Sequence, residues 1–276
     1  MKERKTATIL VLGLAVLTLA SLVAAQVEKR SRPSTTKTCP APNSLVSPAA
    51  LRLQKKPAAE EPTVIQEGMM TEKQKKHAKL FKRYGTLTRG KKLTDSTSSA
   101  DVNVAIDIPD NPRPRVFDLN TYLHGLACKA DAIVVGVVKS KSSQLTEDKS
   151  FTFSEYDIEI QELLKNNSAS PVEANGHITL ARPGGAVMLQ GRTLRAVDRS
   201  ERPLQNGRFL LFLQYIPETG AYKSYVTDIG DASFELRADK LAQVSDDVLP
   251  FGEGRNVDAA SFLTQLRSAL SGSCTN

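Results

Sequence analysis

From Asp101 onward the chain alternates between apolar and polar positions. Val102, Val104, Ile106 and Ile108 are separated by Asp101, Asn103, Ala105 and Asp107, a period of two that predicts a half-buried strand ended by Pro109. Leu119, Tyr122, Leu123 and Leu126 then recur at helical spacing behind Asp118, a good N-cap. Residues 132–138 form an unbroken apolar run, a buried strand in which Gly136 marks a bend or close approach. In the long strand predicted over 151–164, Phe151 and Phe153 have one parity and Tyr156, Ile158 and Ile160 the other. One extra residue near Ser154 and Glu155, a β-bulge, would put both sets on one face.

Shorter strands are predicted over 177–181, 221–227 and 233–236, with a turn at 182–185 and a hairpin of 186–189 with 192–197 around Gln190 and Gly191. Phe209 to Leu213 is the most apolar run and reads as a central strand covered on both faces. Asp258 caps a final helix over 258–271, with Phe262, Leu263, Leu266 and Leu270 on one stripe. The expected fold of 101–276 is therefore all-β, one small antiparallel barrel or sandwich of OB-like kind with two flanking helices.

The first hundred residues lack this patterning. Pro33, Pro40, Pro42, Pro48, Pro57 and Pro62 interrupt any helix, and the segment 26–100 reads as a flexible basic linker. One stretch differs. Thr71 and Gln74 have the spacing of a capping box, residues 75–84 contain no Gly or Pro, and Leu80, Phe81 and Tyr84 share a side, which predicts a short helix over 71–84.

Ahead of the linker, Lys2, Arg4 and Lys5 precede the uncharged apolar stretch 6–25, whose end, Val23-Ala24-Ala25, suits a signal peptidase. The expectation is an export signal over 1–25 cleaved before Gln26, or an N-terminal membrane anchor where cleavage fails. The periplasm or the exterior is the expected location.

Charge sharpens this division. The net +7 of the 276 residues comes from the linker: 26–100 carries 16 basic against 6 acidic side chains, net +10, and 101–276 carries 18 against 23, net −5. Lys73, Lys75, Lys76, Lys79, Lys82 and Arg83 would put the helix on an anionic surface, lipid headgroups or a wall polymer, as a peripheral membrane contact; the plainer reading is a charged helix with one edge against the folded part. Nucleic acid is not an expected partner, because no reading motif accompanies the charge.

Local motifs for catalysis are scarce. His77, His124 and His177 stand apart, and the chain has no H-x-x-x-H, H-E-x-x-H or C-x-x-C, so neither a metal nor a cofactor is expected. Cys128 lies four residues after His124, close enough on one helix for thiolate activation, but an exported cysteine is more often half of a disulfide. Three cysteines leave one over. Cys128 and Cys274 both adjoin helix ends, which favours their pairing; Cys39 with either, or reduced thiols, are the alternatives. Ser34-Thr35-Thr36-Lys37 matches an S-x-x-K string without a helix to hold it. Asp228 and Asp231 flank a tight turn with too few oxygens for calcium. Of Glu155, Asp157, Glu159 and Glu162, alternation puts most on the outward side of their strand, and Arg192, Arg195, Arg199, Arg202 and Arg208 cluster near a hairpin end. Asn166-Asn167-Ser168 is a glycosylation sequon by pattern.

The run from Cys128 through Ala130-Asp131-Ala132-Ile133-Val134-Val135-Gly136-Val137-Val138, the strand ending in Leu163-Leu164-Lys165, Arg182-Pro183-Gly184-Gly185 and the strand after Gly207 occur in an order that resembles exported bacterial proteins with a small β-barrel and no assigned activity. The order is also faintly similar to the barrel of tissue metalloproteinase inhibitors, which place a cysteine at the mature N-terminus to chelate metal; Gln26 would stand there in this chain. The resemblance carries no catalytic residues across; the export signal and the lack of any local nucleophile, metal or cofactor motif lead to the expectation of an exported, non-catalytic binding protein whose partner is a protein or an envelope polymer. A hydrolase assembled only in three dimensions, or an anchor acting through the basic segment, are the alternatives.

Overall fold

In the computed structural model, the chain is described over residues 61–66, 68–84, 92–95, 102–106, 118–198, 201–227, 230–238, 240–243, 257–272 and 274, all within one compact unit spanning 55–276. The export segment, Cys39, the Ser34–Lys37 string, Arg199 and Asp228 lie outside the described residues.

Five strands form a closed ring: β3 (Ala132–Leu145), β4 (Thr152–Lys165), β5 (His177–Pro183), β8 (Arg208–Ile216) and β9 (Ala221–Ser224). The pairing runs β8-β3-β4-β5-β9 and returns to β8, and every pair is antiparallel except β5 with β9. All five strands send side chains into one buried cluster, among them Val134, Tyr156, Leu180, Leu211 and Tyr222. A barrel interior of this size is a packed core.

On the β8 side the sheet continues through β12 (Ser233–Arg237), β13 (Lys240–Gln243) and β14 (Val257–Asp258), for eight strands in all. Helices α2 (Leu119–Lys129) and α3 (Ala259–Leu270) cover this flank. Asp118 and Asp258 accept hydrogen bonds from the backbone N–H of Thr121 and Ser261, which caps each helix. Leu123, Leu126, Phe262 and Leu266 pack on Ile133, Val135, Leu210 and Phe212. Both parities of β8 are thus buried, one in the barrel and one under helices, as its apolar run predicts.

A second sheet has four strands in the order β1-β6-β7-β2, from β1 (Thr63–Val64), β6 (Gly185–Leu189), β7 (Arg192–Asp198) and β2 (Val102–Ile106). The expected β6–β7 hairpin forms, with Gln190 and Gly191 at φ 51° and 77°, and the N-terminal segment lines its two edges with parallel strands. A short pair, β10 (Val226–Thr227) with β11 (Gly230–Asp231), completes the strands.

The protein is mostly β, but it is not one small barrel or sandwich: it has sheets of eight and four strands and three helices among the described residues. The third helix, α1 (Glu72–Leu80), begins with the expected capping box, Thr71 and Gln74 each bonding the other's backbone N–H. The segment 26–100 is expected to be a flexible linker except for a short helix over 71–84 with one edge against the folded part; that edge packs, and so do Ile65, Met70 and Leu93 outside the helix. Ala78, Phe81, Tyr84 and Leu93 sit with Phe151, Phe153, Val187 and Leu194 in a third apolar cluster beneath the four-stranded sheet. The apolar residues of the segment are spread among lysines and prolines, so averaged composition hides them.

The bulge expected near Ser154 is a second correction. Pairing is continuous from Leu145↔Thr152 to Ser140↔Asp157, and the irregularities fall between Val138 and Ser140 and at two places further along the ladder. No bulge is needed because both faces of β4 are buried at its start. Phe151 and Phe153 join the α1 cluster, whereas Tyr156, Ile158 and Ile160 fill the barrel.

The predicted turn at 182–185 shortens to Gly184 (φ 90°), with Arg182 and Pro183 in β5 and Gly185 (φ 137°) opening β6. A Cβ on Gly185 would lie 2.3 Å from Ser154 Oγ and 2.6 Å from Ser143 Oγ, the space of a 2.8 Å hydrogen bond between those hydroxyls. Gly185→Ala is expected to cost about 2–3 kcal/mol through the left-handed backbone and the overlap. A urea midpoint unchanged within error would contradict this.

Candidate functional site

Helix α1 lies against the outward side of β4 and β5 and the turns at 146–151 and 217–220. His77, with no exposed surface, joins helix to barrel. Its Nδ1 is 2.5 Å from Glu155 Oε1 on β4, its Nε2 is 2.8 Å from Thr219 Oγ1, and its ring meets the Phe153 ring edge-on. Around it, Lys73 donates to Thr179 Oγ1 on β5 at 2.9 Å, Gln74 to Glu155, and Lys76 to the carbonyl of Glu218 at 2.8 Å. Glu147 N–H donates to the carbonyl of Ala78, and Phe81 stacks on Phe153 with ring centres 5.7 Å apart.

The six basic residues singled out in the sequence therefore divide. Lys73 and Lys76 bind the barrel, Lys82 pairs with Glu147 at 3.2 Å, Lys75 pairs with Glu72 on the helix itself, and Arg83 lies over the Tyr84 ring. Lys79 is exposed. Lys75, Lys76, Lys79 and Lys82 still leave a basic outer edge.

Beside α1 a cleft of about 430 Å³ opens between the residues before the helix and the β3–β4 turn, lined by Ile65, Met70, Ala78 and Leu145 with Lys75 and Glu147 at its rim. Val64 and Met69, 73% and 72% exposed, extend apolar surface from this region.

The outward carboxylates of β4 are each matched by a cation or imidazole. Glu155 meets His77, Asp157 meets His177 at 2.9 Å, Glu159 meets Lys139 at 3.0 Å and Glu162 meets Arg267 on α3 at 2.5 Å. They are spread along the strand as separate ion pairs and do not converge as a catalytic pair.

A second polar group fills one end of the barrel. Arg182 is fully buried and its guanidinium donates to Asp231 Oδ2 at 2.6 Å, Ser224 Oγ at 2.6 Å, Ser233 Oγ at 3.1 Å and the carbonyl of Arg202 at 2.8 Å. Burial works against this charge, but Asp231 and Glu201 outweigh it and hold the pKa above its ordinary value. Burial pushes the Glu201 carboxyl up to about 8, Asp231 and Asp198 add to the rise, and Arg182 opposes it. Tyr84 donates to Glu201 Oε1 at 3.1 Å, so the end of the α1 segment reaches into this group. Lys141, 5.3 Å from the centre of the Tyr156 ring, is pulled down to about 7 by burial and then by Arg195 and Arg182.

These shifts give a pH signature. A carboxyl raised in the folded state contributes stability that is present below its ordinary value of 4.5 and is lost as the pH climbs to about 8. Lys141 has the opposite sign, its lowered pKa restoring stability only from about 7 upward. Glu201→Gln is therefore expected to flatten a fall in the urea midpoint between pH 5 and 7. A slope identical to the wild type would refute this.

Sequence reasoning missed Arg182 and Asp231, assigning both to turns. The available signal was a single Arg directly after the apolar strand Ile178-Thr179-Leu180-Ala181, where an unpaired charge is costly to bury. Cys128 and Cys274 are joined by a disulfide of 2.05 Å, with His124 Nε2 3.7 Å from Cys128 Sγ. Among the described residues no three His, Cys, Asp or Glu side chains gather as a metal site, and no helix is long and apolar enough to cross a membrane. Comparison with family models, with curated proteins and with solved structures finds no match.

Proposed function

We propose that the protein is an exported, non-catalytic binding protein of the bacterial envelope, and that it binds through the β4–β5 face of an OB-like barrel. Export rests on the apolar segment behind Lys2, Arg4 and Lys5. The OB-like reading rests on the ring order β3-β4-β5-β9-β8 with its one parallel pair. In OB barrels the second and third strands, with the loops after the first and fourth, carry ligands; around this ring those are β4, β5 and the turns at 146–151 and 217–220.

The observation that carries the proposal is that α1 occupies this face. It supplies the mode of recognition: a basic amphipathic helix held by Glu155, Glu147 and backbone carbonyls, with aromatic side chains inserted beside them. A protein segment of that character is the proposed partner, entering by displacing α1 or beside it in the cleft. The test is capture from envelope extract by the wild type, by His77→Ala with Phe81→Ala, which loosens α1, and by Lys75→Glu with Lys76→Glu and Lys79→Glu. The expected result is a captured protein whose yield rises when α1 is loosened and survives charge reversal. Capture unaffected by loosening and abolished by charge reversal would replace this reading with the anionic-surface anchor.

One observation favours a hydrolase as the second reading: Glu155, His77 and Thr219 stand in the order carboxylate, imidazole, hydroxyl. Hydrolysis of a p-nitrophenyl ester that Thr219→Val abolishes would establish it. Equal rates in both proteins would remove it.

A further inference from the structure

The geometry points to the Cys128–Cys274 disulfide as a site of thiol–disulfide exchange, in which an incoming thiolate attacks Cys274 and Cys128 is the leaving sulfur. The bond ties the last turn of α2 to the short stretch after α3. Its two ends differ. Cys274 is exposed, whereas Cys128 is half-buried on the helix, so an approaching thiol meets Cys274 first.

The surroundings of Cys128 suit a departing thiolate. His124, one turn earlier on α2, holds Nε2 3.7 Å from Cys128 Sγ, and its ring packs within 3.4–3.5 Å of the position a Cβ on Gly272 would take. The imidazole is therefore held between the disulfide and the chain that leaves α3. A helix C-terminus ordinarily disfavours negative charge. Here Lys165 Nζ donates to the carbonyls of Ala127 and Ala130, residues on either side of Cys128 in the chain, at 2.8 and 2.6 Å, which sets an ammonium at the same helix end. An imidazole at the sulfur and an ammonium at the same helix end are surroundings that favour thiolate over thiol.

The step balances without an outside oxidant. The attacking sulfur bonds to Cys274 Sγ, the Cys128–Cys274 bond breaks, and its electron pair goes to Cys128 Sγ, which stays a thiolate or takes a proton from His124. Opening the bond leaves the α2–α3 packing in place, because Tyr122, Leu123 and Leu126 remain against Phe262 and Leu266. The product is a folded protein with a mixed disulfide on Cys274. The thiol it accepts is either Cys39, the third cysteine of the chain, or a thiol from outside.

The test uses the whole mature chain with reduced glutathione at pH 7, acid quenching, alkylation and mass mapping, beside Cys39→Ser and His124→Gln. The expected result is glutathione on Cys274 with alkylated Cys128. His124→Gln should slow its formation about tenfold at pH 7 and much less at pH 9, where an ordinary imidazole carries no proton to offer the departing sulfur. A merely structural histidine would not move that pH profile. Without glutathione, a Cys39–Cys274 bond absent from Cys39→Ser identifies the internal thiol as the source; adducts formed only with glutathione identify an external one. Glutathione on Cys128 in place of Cys274, no adduct at all, or an unchanged profile in His124→Gln would overturn the proposal.

Discussion

Replacing Arg182 by Met is expected to destabilise the protein by about 3–5 kcal/mol, and Asp231→Asn to cost a large part of the same amount. The reason is what each change leaves behind. Both side chains have no exposed surface, and the guanidinium donates to Asp231, to two serine hydroxyls and to a backbone carbonyl. Without it, Asp231 retains the hydroxyl of Ser233 at 2.8 Å and lies near Glu201 and Asp198 in a site closed to water. The buried carboxylate has then lost its counter-charge, and the remaining hydrogen bond offsets only part of its desolvation. Arg182→Met with Asp231→Leu removes both charges together and should recover much of the loss. A double-mutant cycle by urea denaturation is expected to give a coupling above about 2 kcal/mol. A cycle that is additive would mean that the serine and carbonyl contacts, not the ion pair, hold the barrel end.

The same pair explains why one end of the barrel is polar. Above Tyr156, the interior changes from apolar side chains to Ser143, Ser154, Arg182 and Asp231. Ser154 donates to the carbonyl of Gly184 and Thr152 to that of Gly185, so the turn into β6 is fixed by hydroxyls from β4. The four-stranded sheet is hung on the barrel through these bonds, and α1 reaches the same group through Tyr84 and Glu201. Barrel, second sheet and helix thus share one buried network, which couples the docking of α1 to the rest of the fold.

What could be read from the sequence follows from where the signal is local. Strands β3, β4 and β8 and the caps of α2 and α3 were legible, because runs such as residues 132–138 and 209–213 and the residues Asp118 and Asp258 act at short range. Ring closure was not, because it rests on β9, four residues long, pairing in parallel with β5 through Leu180↔Tyr222 and Ala181↔Lys223. The role of 61–106 was hidden for a related reason. Its strands of two and five residues complete a sheet only when the β6–β7 hairpin supplies the partners. The candidate site was half visible: the basic helix could be found, but its seat on Glu155 and Thr219 depends on residues 78 and 142 positions away.

The disulfide carries the second large effect. Cys128→Ser with Cys274→Ser is expected to lower stability by about 5 kcal/mol, because the bond spans 146 residues and its removal frees a long loop in the unfolded chain. In the native state little should change. Phe262 and Leu266 stay buried against α2, and Asp258 still caps α3, so amide exchange within the two helices should show the same pattern relative to the lowered global stability. The unfolded state should change most, with a higher urea m-value as the chain expands. The wild type in excess dithiothreitol is expected to coincide with the double variant, and Cys39→Ser to coincide with the oxidised wild type. A double variant with unaltered urea midpoint and m-value would show that the unfolded chain stays compact in this region without the bond. The helix pair would then be held by its apolar contacts alone, and opening the disulfide would cost the fold nothing.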